Sequence, residues 1–139
     1  PALGAGDRIL ARLARVRITV DLSSQRLTLA SPELDASFVI SSGLPPKNTT
    51  PGSGKCFKPD FLRKMHYSSL YNNAPMPHSV FFNGNIAIHG TLAEDKLGAP
   101  ASKGCIRTSL ADAEAIYGIV KAHGKENTSI CVTGRTPAN

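Results

Sequence analysis

The sequence predicts a mainly β domain with one well-marked helix, and three observations predict it: period-two alternation near the N-terminal end, an Asn-Gly hairpin signal in the middle, and one capped amphipathic stretch near the C-terminal end. Val16, Ile18, Val20 and Leu22 alternate with Arg17, Thr19 and Asp21, the pattern of a strand with one buried face. Ser23-Ser24-Gln25 supplies turn chemistry and Arg26 to Ala30 alternates again, so the two segments read as a hairpin. Ser31-Pro32 breaks the pattern, and Ala36 to Ser41 adds a third strand to an antiparallel meander.

From Gly43 to Pro59 the chain carries four prolines and three glycines, which predicts a long shaped loop around a short strand near Lys55 to Phe57. His66 to Pro77 also reads as turn-rich, before Val80 to Phe82 and Ile86 to Ile88 form strands around Asn83-Gly84. Ser109 followed by Asp112 is a capping-box pattern, in which the hydroxyl accepts from an amide and the carboxylate reaches back. Leu110, Ala113, Ile116, Tyr117 and Val120 then recur at helical spacing, and Gly124 is placed to end the helix in a left-handed turn. Ser129 to Thr133 closes the chain as a buried strand, whereas Pro1 to Gly6 reads as loose and Arg8 to Arg15 as a helical turn or irregular lead-in.

The chain of 139 residues is one domain's length, with 41% hydrophobic and 19% charged residues, a globular balance rather than a disordered one. Its net charge of +6 favours contact with anions, but the basic residues are dispersed and no aromatic is interleaved with them, so nucleic acid is not an expected partner. The apolar runs are far shorter than the ~20 residues that span a bilayer. The chain starts at Pro1 without a charged-then-apolar leader, which leaves a cytosolic protein and a processed or truncated exported one both open.

Three cysteines without a C-x-x-C pair indicate neither a zinc ribbon nor a dense disulfide framework. Cys131 reads as buried core, and Cys56 is either buried or paired with Cys131 in an oxidising compartment. Cys105 differs. It lies in Ser102-Lys103-Gly104-Cys105-Ile106-Arg107, sixteen residues after His89, which itself precedes Gly90 at the end of an apolar strand. A thiol ionises only near pH ~8.5, so a catalytic cysteine needs an imidazole or positive potential to hold thiolate at neutral pH, and His89 is the candidate. Gly104 lets backbone approach the sulfur closely, and amides running from Cys105 toward the helix are candidate donors to an oxyanion.

Together these residues resemble the catalytic domain of the L,D-transpeptidase (YkuD-type) family, whose signature is a histidine-glycine at a strand end and then Ser/Thr-x-Gly-Cys-Ile/Val-Arg. The similarity extends to the opening hairpin (Val16 to Leu29), a Thr-Pro-x-Gly turn (Thr50-Pro51-Gly52), a Met-Pro-x-Ser segment (Asn73 to Phe82) and the closing helix and strand (Asp112 to Val132), about four-fifths of the chain. Lys103 stands where many members have a second histidine, and the spacer after His89 is slightly shorter than the common form. The resemblance implies a YkuD-like β-sandwich of mixed sheets with one capping helix and long cleft-forming loops. Residues 1–15 are then a lead-in, 16–134 the catalytic domain and 135–139 a tail.

The resemblance also implies an extracytoplasmic, periplasmic setting and a chemistry of peptidoglycan stem peptides. Cys105 would attack the bond between a diaminopimelate-type residue and terminal D-alanine. His89 would be the general base, its other nitrogen held by a backbone carbonyl such as that of Gly90. Gly104 and Cys105 amides would line the oxyanion site, Ser102 would brace the turn or touch substrate, and Arg107 would fix the loop or a substrate carboxylate. Lys103, at the second-histidine position, bears on substrate orientation. Tyr67, Tyr71, Met76 and Ser79 fall where the family builds a wall of the cleft. The acyl acceptor would be another stem peptide, an outer-membrane protein or lipoprotein, or water, which makes an L,D-carboxypeptidase or endopeptidase; a non-catalytic peptidoglycan-binding module is a further alternative. Carbapenem-type β-lactams are the implied inhibitors, and no cofactor or metal is expected. His66 and His78 are placed to line the cleft or, as lone loop histidines usually are, to be solvated, and His123 reads as a partner for a helix C-terminal dipole, while a zinc site of His66, His78, His89 and Cys105 lacks any regular ligand spacing.

Overall fold

A computed structural model describes residues 2–69 and 71–138, so the outer limits of the lead-in and tail, Pro1 and Asn139, lie outside the described residues. Nine strands form two mixed sheets among the described residues. The first holds β1 (Val16–Asp21), β2 (Arg26–Ala30), β3 (Asp35–Val39), β4 (Lys55–Phe57) and β9 (Thr128–Thr133), in the order β3-β2-β1-β9-β4. The second holds β5 (Phe61–Ser68), β6 (Ala74–Asn83), β7 (Ile86–Gly90) and β8 (Ile106–Thr108), in that order. Two pairings are parallel, β1 with β9 and β7 with β8.

The expected meander is present as β1-β2-β3, with Ile18 opposite Leu29 and Leu27 opposite Phe38. Its alternation sends Val16, Ile18, Val20, Leu27 and Leu29 into one core with Val80, Phe82, Ile88 and Ile106 of the second sheet. Helix α2 (Leu110–His123) packs on β6 and β7 and adds Ile116 and Val120 to that core. Its start follows the sequence in half: the Asp112 amide donates to Ser109 Oγ at 3.1 Å, but the reciprocal carboxylate bond is not formed among the described residues. Gly124 ends the helix at φ +92° and ψ 158°, outside the left-handed helical basin, with its amide on the Val120 carbonyl at 2.8 Å.

The structure corrects two other expectations. The capping helix has a companion, α1 (Ala5–Leu13), which includes Ala5 and Gly6 of the supposedly loose lead-in and packs on β4 and β9. Asp7 fastens it by accepting the Cys56 amide at 2.8 Å. The turn-rich segment from His66 to Pro77 is mostly strand, β5 and the first half of β6. Proline fits there because Ala74 to Ser79 of β6 pairs with β5 alone; β7 joins only from Val80, so the missing amide hydrogens of Pro75 and Pro77 leave no ladder bond unmade on that side. A bend at His78, whose φ is +51°, is held by Ser79 Oγ donating to the Met76 carbonyl at 2.7 Å.

β4 lies antiparallel to β9 with Cys56 opposite Cys131, and the two sulfurs form a disulfide. That resolves the alternative left open by the sequence. Ile130 and Val132 fill the core, and alternation turns Cys131 to the other face, toward α1.

Candidate active site

The parallel pairing of β7 and β8 sets His89 opposite Arg107 and Ile88 opposite Ile106, which leaves Cys105 beside Ala87. Because side chains alternate, Ala87 and His89 on β7 share a face with Cys105 and Arg107. The contacts agree: the Ala87 amide donates to Cys105 Sγ at 3.4 Å, and the thiol faces the Asn85 carbonyl at 3.5 Å. His89, Cys105 and Arg107 all line one cavity of about 830 Å³. Cys105 is the one free cysteine among the described residues.

His89 is 7% exposed, and its Nδ1 lies 2.8 Å from the Gly90 carbonyl oxygen. A carbonyl only accepts, so Nδ1 carries the hydrogen and Nε2 is left with a lone pair. Burial pushes the His89 pKa down to about 4, with Arg107 and His66 adding to the fall against the Gly90 bond. Burial also pushes the Cys105 thiol above its ordinary value, against the opposing pull of the Ala87 amide and Arg107. Both shifts favour the uncharged forms, so the resting pair is thiol and neutral imidazole. The sequence points to a thiolate held by the imidazole, whereas burial of each group favours its neutral form.

Hydroxyl groups tie the loop before Cys105 at three points. Ser102 Oγ donates to the Cys105 carbonyl at 2.6 Å and accepts the Gly104 amide at 3.1 Å. Thr50 Oγ1 donates to the Gly104 carbonyl at 2.7 Å and accepts the Gly43 amide at 2.8 Å. Gly104 has φ +134°, a conformation that side chains rarely adopt. Ser102 is thus a brace of the turn, and it also faces the cavity. The Gly104 amide is already committed to Ser102, so of the two expected oxyanion donors only the Cys105 amide has no acceptor among the described residues.

Of the expected wall residues, Tyr71 and Met76 line the cavity. Met76 packs with Phe81, Ala87 and Cys105. Tyr67 and Ser79 do not line it: Tyr67 is 59% exposed on β5, and Ser79 is fully buried with its hydroxyl spent on Met76. Lys103 sets its ammonium 4.9 Å from the centre of the Tyr71 ring. Arg107 is half-buried and makes no hydrogen bond or ion pair through its side chain among the described residues.

Of the two readings open for His66 and His78, cleft-lining or solvated, both residues take the first. His66 meets the Phe81 ring edge-on at 5.0 Å, and His78 meets Tyr117 at 5.3 Å. The signal that would have found them was strand pairing hidden by prolines. His123 goes beyond a dipole partner: its Nε2 lies 2.8 Å from both carboxylate oxygens of Glu33. That contact holds the Glu33 carboxyl below its ordinary value.

The L,D-transpeptidase catalytic domain family (YkuD) matches residues 15–137. Among solved structures, the L,D-transpeptidase of Stackebrandtia nassauensis is similar with a TM-score of 0.73 at 21% identity, over 88% of this chain and 57% of that one. The L,D-transpeptidase LdtMt1 in complex with imipenem gives 0.72 at 17%, over 86% and 59%. L,D-transpeptidase 3 of Mycobacterium tuberculosis, in complex with a faropenem-derived adduct, gives 0.71 at 17%, over 86% and 60%. The chain thus spans about three-fifths of the length of these structures. No curated protein matches. A mixed two-sheet fold, a histidine-glycine strand end beside a Ser-Lys-Gly-Cys-Ile-Arg loop, and a family match over nearly the whole chain agree on one conclusion: this chain belongs to the L,D-transpeptidase catalytic domain (YkuD) family.

Proposed function

We propose that the protein is a peptidoglycan L,D-transpeptidase in which Cys105 is the nucleophile and His89 the general base. The observation that carries this reading is the juxtaposition on β7 and β8 of the one free thiol and an imidazole whose Nδ1 is committed to the Gly90 carbonyl. An imidazole with a bare Nε2 accepts a proton, and a buried thiol has one to give.

With both groups neutral at rest, proton transfer accompanies attack. Cys105 Sγ bonds to the carbonyl carbon of the diaminopimelate-type residue as its proton passes to His89 Nε2. The carbon–nitrogen bond to D-alanine then breaks, and the proton leaves with the amine of D-alanine. An acceptor amine attacks the thioester, gives a proton to His89, and the carbon–sulfur bond breaks to regenerate the thiol. The Cys105 amide stabilises the oxyanion in both halves. Gly104 and Ser102 hold that amide in place, and Arg107, with no carboxylate partner among the described residues, binds one of the substrate. Lys103 and Tyr71 shape the cleft as a stacked pair, with Met76 beneath the thiol.

The complexes of relatives with imipenem and a faropenem-derived adduct support β-lactam acylation of Cys105 here. The Cys56–Cys131 disulfide supports an oxidising, extracytoplasmic location, because cytosolic thiols are kept reduced. The acceptor is the amine of a second stem peptide, or of an outer-membrane protein or lipoprotein.

Incubation with a disaccharide-tetrapeptide tests the reading. It predicts release of D-alanine and a cross-linked dimer, both absent with Cys105→Ala. Tripeptide without dimer would make the protein an L,D-carboxypeptidase, and no D-alanine release would leave a binding module.

A further inference from the structure

The cavity that holds His89 and Cys105 is lined by charges of both signs. Lys103 stacks on Tyr71, and Arg107 adds a second permanent cation beside the reacting pair. Helix α2 forms part of the same wall through Leu110 and Glu114. Leu110 and Ala113 press on Gly90, where an added Cβ would meet them at 3.0 and 3.2 Å. Glu114 follows Leu110 by one helical turn and shares a face with Tyr117, the ring that meets His78. Glu114 is the one carboxylate lining the cavity among the described residues, and it is exposed there without a hydrogen bond or ion pair.

An acyl donor rich in carboxylates is drawn by Lys103 and Arg107. A primary amine acceptor, which arrives as an ammonium ion, is repelled by the same charges. We infer that Glu114 is the specificity-determining residue for the acceptor: its carboxylate receives the ammonium of an incoming amine and sets its approach along α2. The inference rests on the proposed acyl transfer and adds to it the residue that favours an amine over water. Glu114 does not touch the thiol. It acts on the second half-reaction by raising the local concentration of the cationic acceptor, which loses one proton to solvent and, as the free amine, gives a second to His89 on attack.

The partition of the thioester tests this. Wild type and Glu114→Gln are given a disaccharide-tetrapeptide as both donor and acceptor, and the dimer-to-tripeptide ratio is read by mass spectrometry at low and high salt. Glu114→Gln is expected to lower the ratio roughly fivefold, the size of a partly exposed ion pair. Added salt is expected to lower the ratio in wild type and to raise the variant's, in which only the repulsion by Lys103 and Arg107 is left to screen. Glu114→Asp is expected to restore part of the loss. Formation of the imipenem adduct confirms that each variant is folded. Equal ratios and equal salt dependence for wild type and Glu114→Gln overturn the inference and leave the transfer chemistry standing. A wild type that forms the imipenem adduct yet yields only tripeptide overturns it together with the transpeptidase reading. No adduct on Cys105 overturns the nucleophile assignment and the inference with it.

Discussion

Thr50 Oγ1 donates to the carbonyl of Gly104 at 2.7 Å, a bond that joins residues 54 positions apart and fixes the peptide immediately before Cys105. The same oxygen accepts the Gly43 amide, so one buried hydroxyl joins the start and the middle of the long loop to the loop of the nucleophile. Replacing Thr50 with valine keeps the shape and strands a buried amide and a buried carbonyl. The expected cost is about 3 kcal/mol, read as a fall in the denaturant midpoint. Slower imipenem acylation of Cys105 is expected beside it, because the Gly104 carbonyl loses its anchor.

Two glycines separate crowding from backbone freedom. A Cβ at Gly90 would lie 3.0 Å from Leu110 Cδ2 and 3.2 Å from Ala113 Cβ, so Gly90→Ala makes Leu110 and Ala113 of α2 give by a few tenths of an ångström. A loss of about 1–3 kcal/mol is expected, with slower acylation as the carbonyl that holds His89 moves. At Gly118, in the middle of α2, a Cβ meets nothing within 4 Å. Gly118→Ala is expected to add roughly 0.5–1 kcal/mol and to leave acylation unchanged, as thermal unfolding and adduct kinetics would show.

The depressed pKa of His89 makes stability depend on acid. The unfolded imidazole takes a proton near pH 6.5 and the folded one only near 4, so the unfolded state binds more protons between those values. The contribution is complete above pH 6.5, falls as the pH drops, and levels off once the folded imidazole is protonated. Its full size is about 3 kcal/mol. Denaturant unfolding at pH 7 and pH 4 is expected to show wild type losing that much more than His89→Gln. The same shift predicts that the acid limb of acylation lies near pH 4 rather than 6.5.

The disulfide closes a separation of 75 residues between β4 and β9 on the side of that sheet that faces α1. Reduction is expected to lower stability by about 4 kcal/mol. Cys105 stands at the edge of the other sheet, just before β8, so a Cys56→Ser/Cys131→Ser variant that remains folded at low temperature is expected to form the imipenem adduct at the wild-type rate. Midpoints with and without reductant, with adduct masses taken alongside, check both halves.

The catalytic motif and the β1-β2-β3 meander are legible because each depends on neighbours in the chain: the alternation from Val16 to Leu29 is local, and so are Ser102 to Arg107. What stays hidden depends on partners far away. β5 and the start of β6 are masked by Pro75, Pro77 and Asn72-Asn73, and only the limited reach of β7 explains why strand survives there. His66 and His78 enter the cavity for the same reason, whereas Tyr67 is turned away and Ser79 is withdrawn into the core. The charge state of the site is another nonlocal property. Residue type suggests a thiolate held by an imidazole, but desolvation of both groups favours their neutral forms.

The most direct measurement is the intact mass of wild type, Cys105→Ala and His89→Ala after exposure to imipenem. Wild type is expected to gain the mass of a single acyl group, located on the peptide containing Cys105; Cys105→Ala is expected to gain none, and His89→Ala to gain it at least a hundredfold more slowly. Equal labelling of wild type and Cys105→Ala, or an undiminished rate in His89→Ala, would contradict the account.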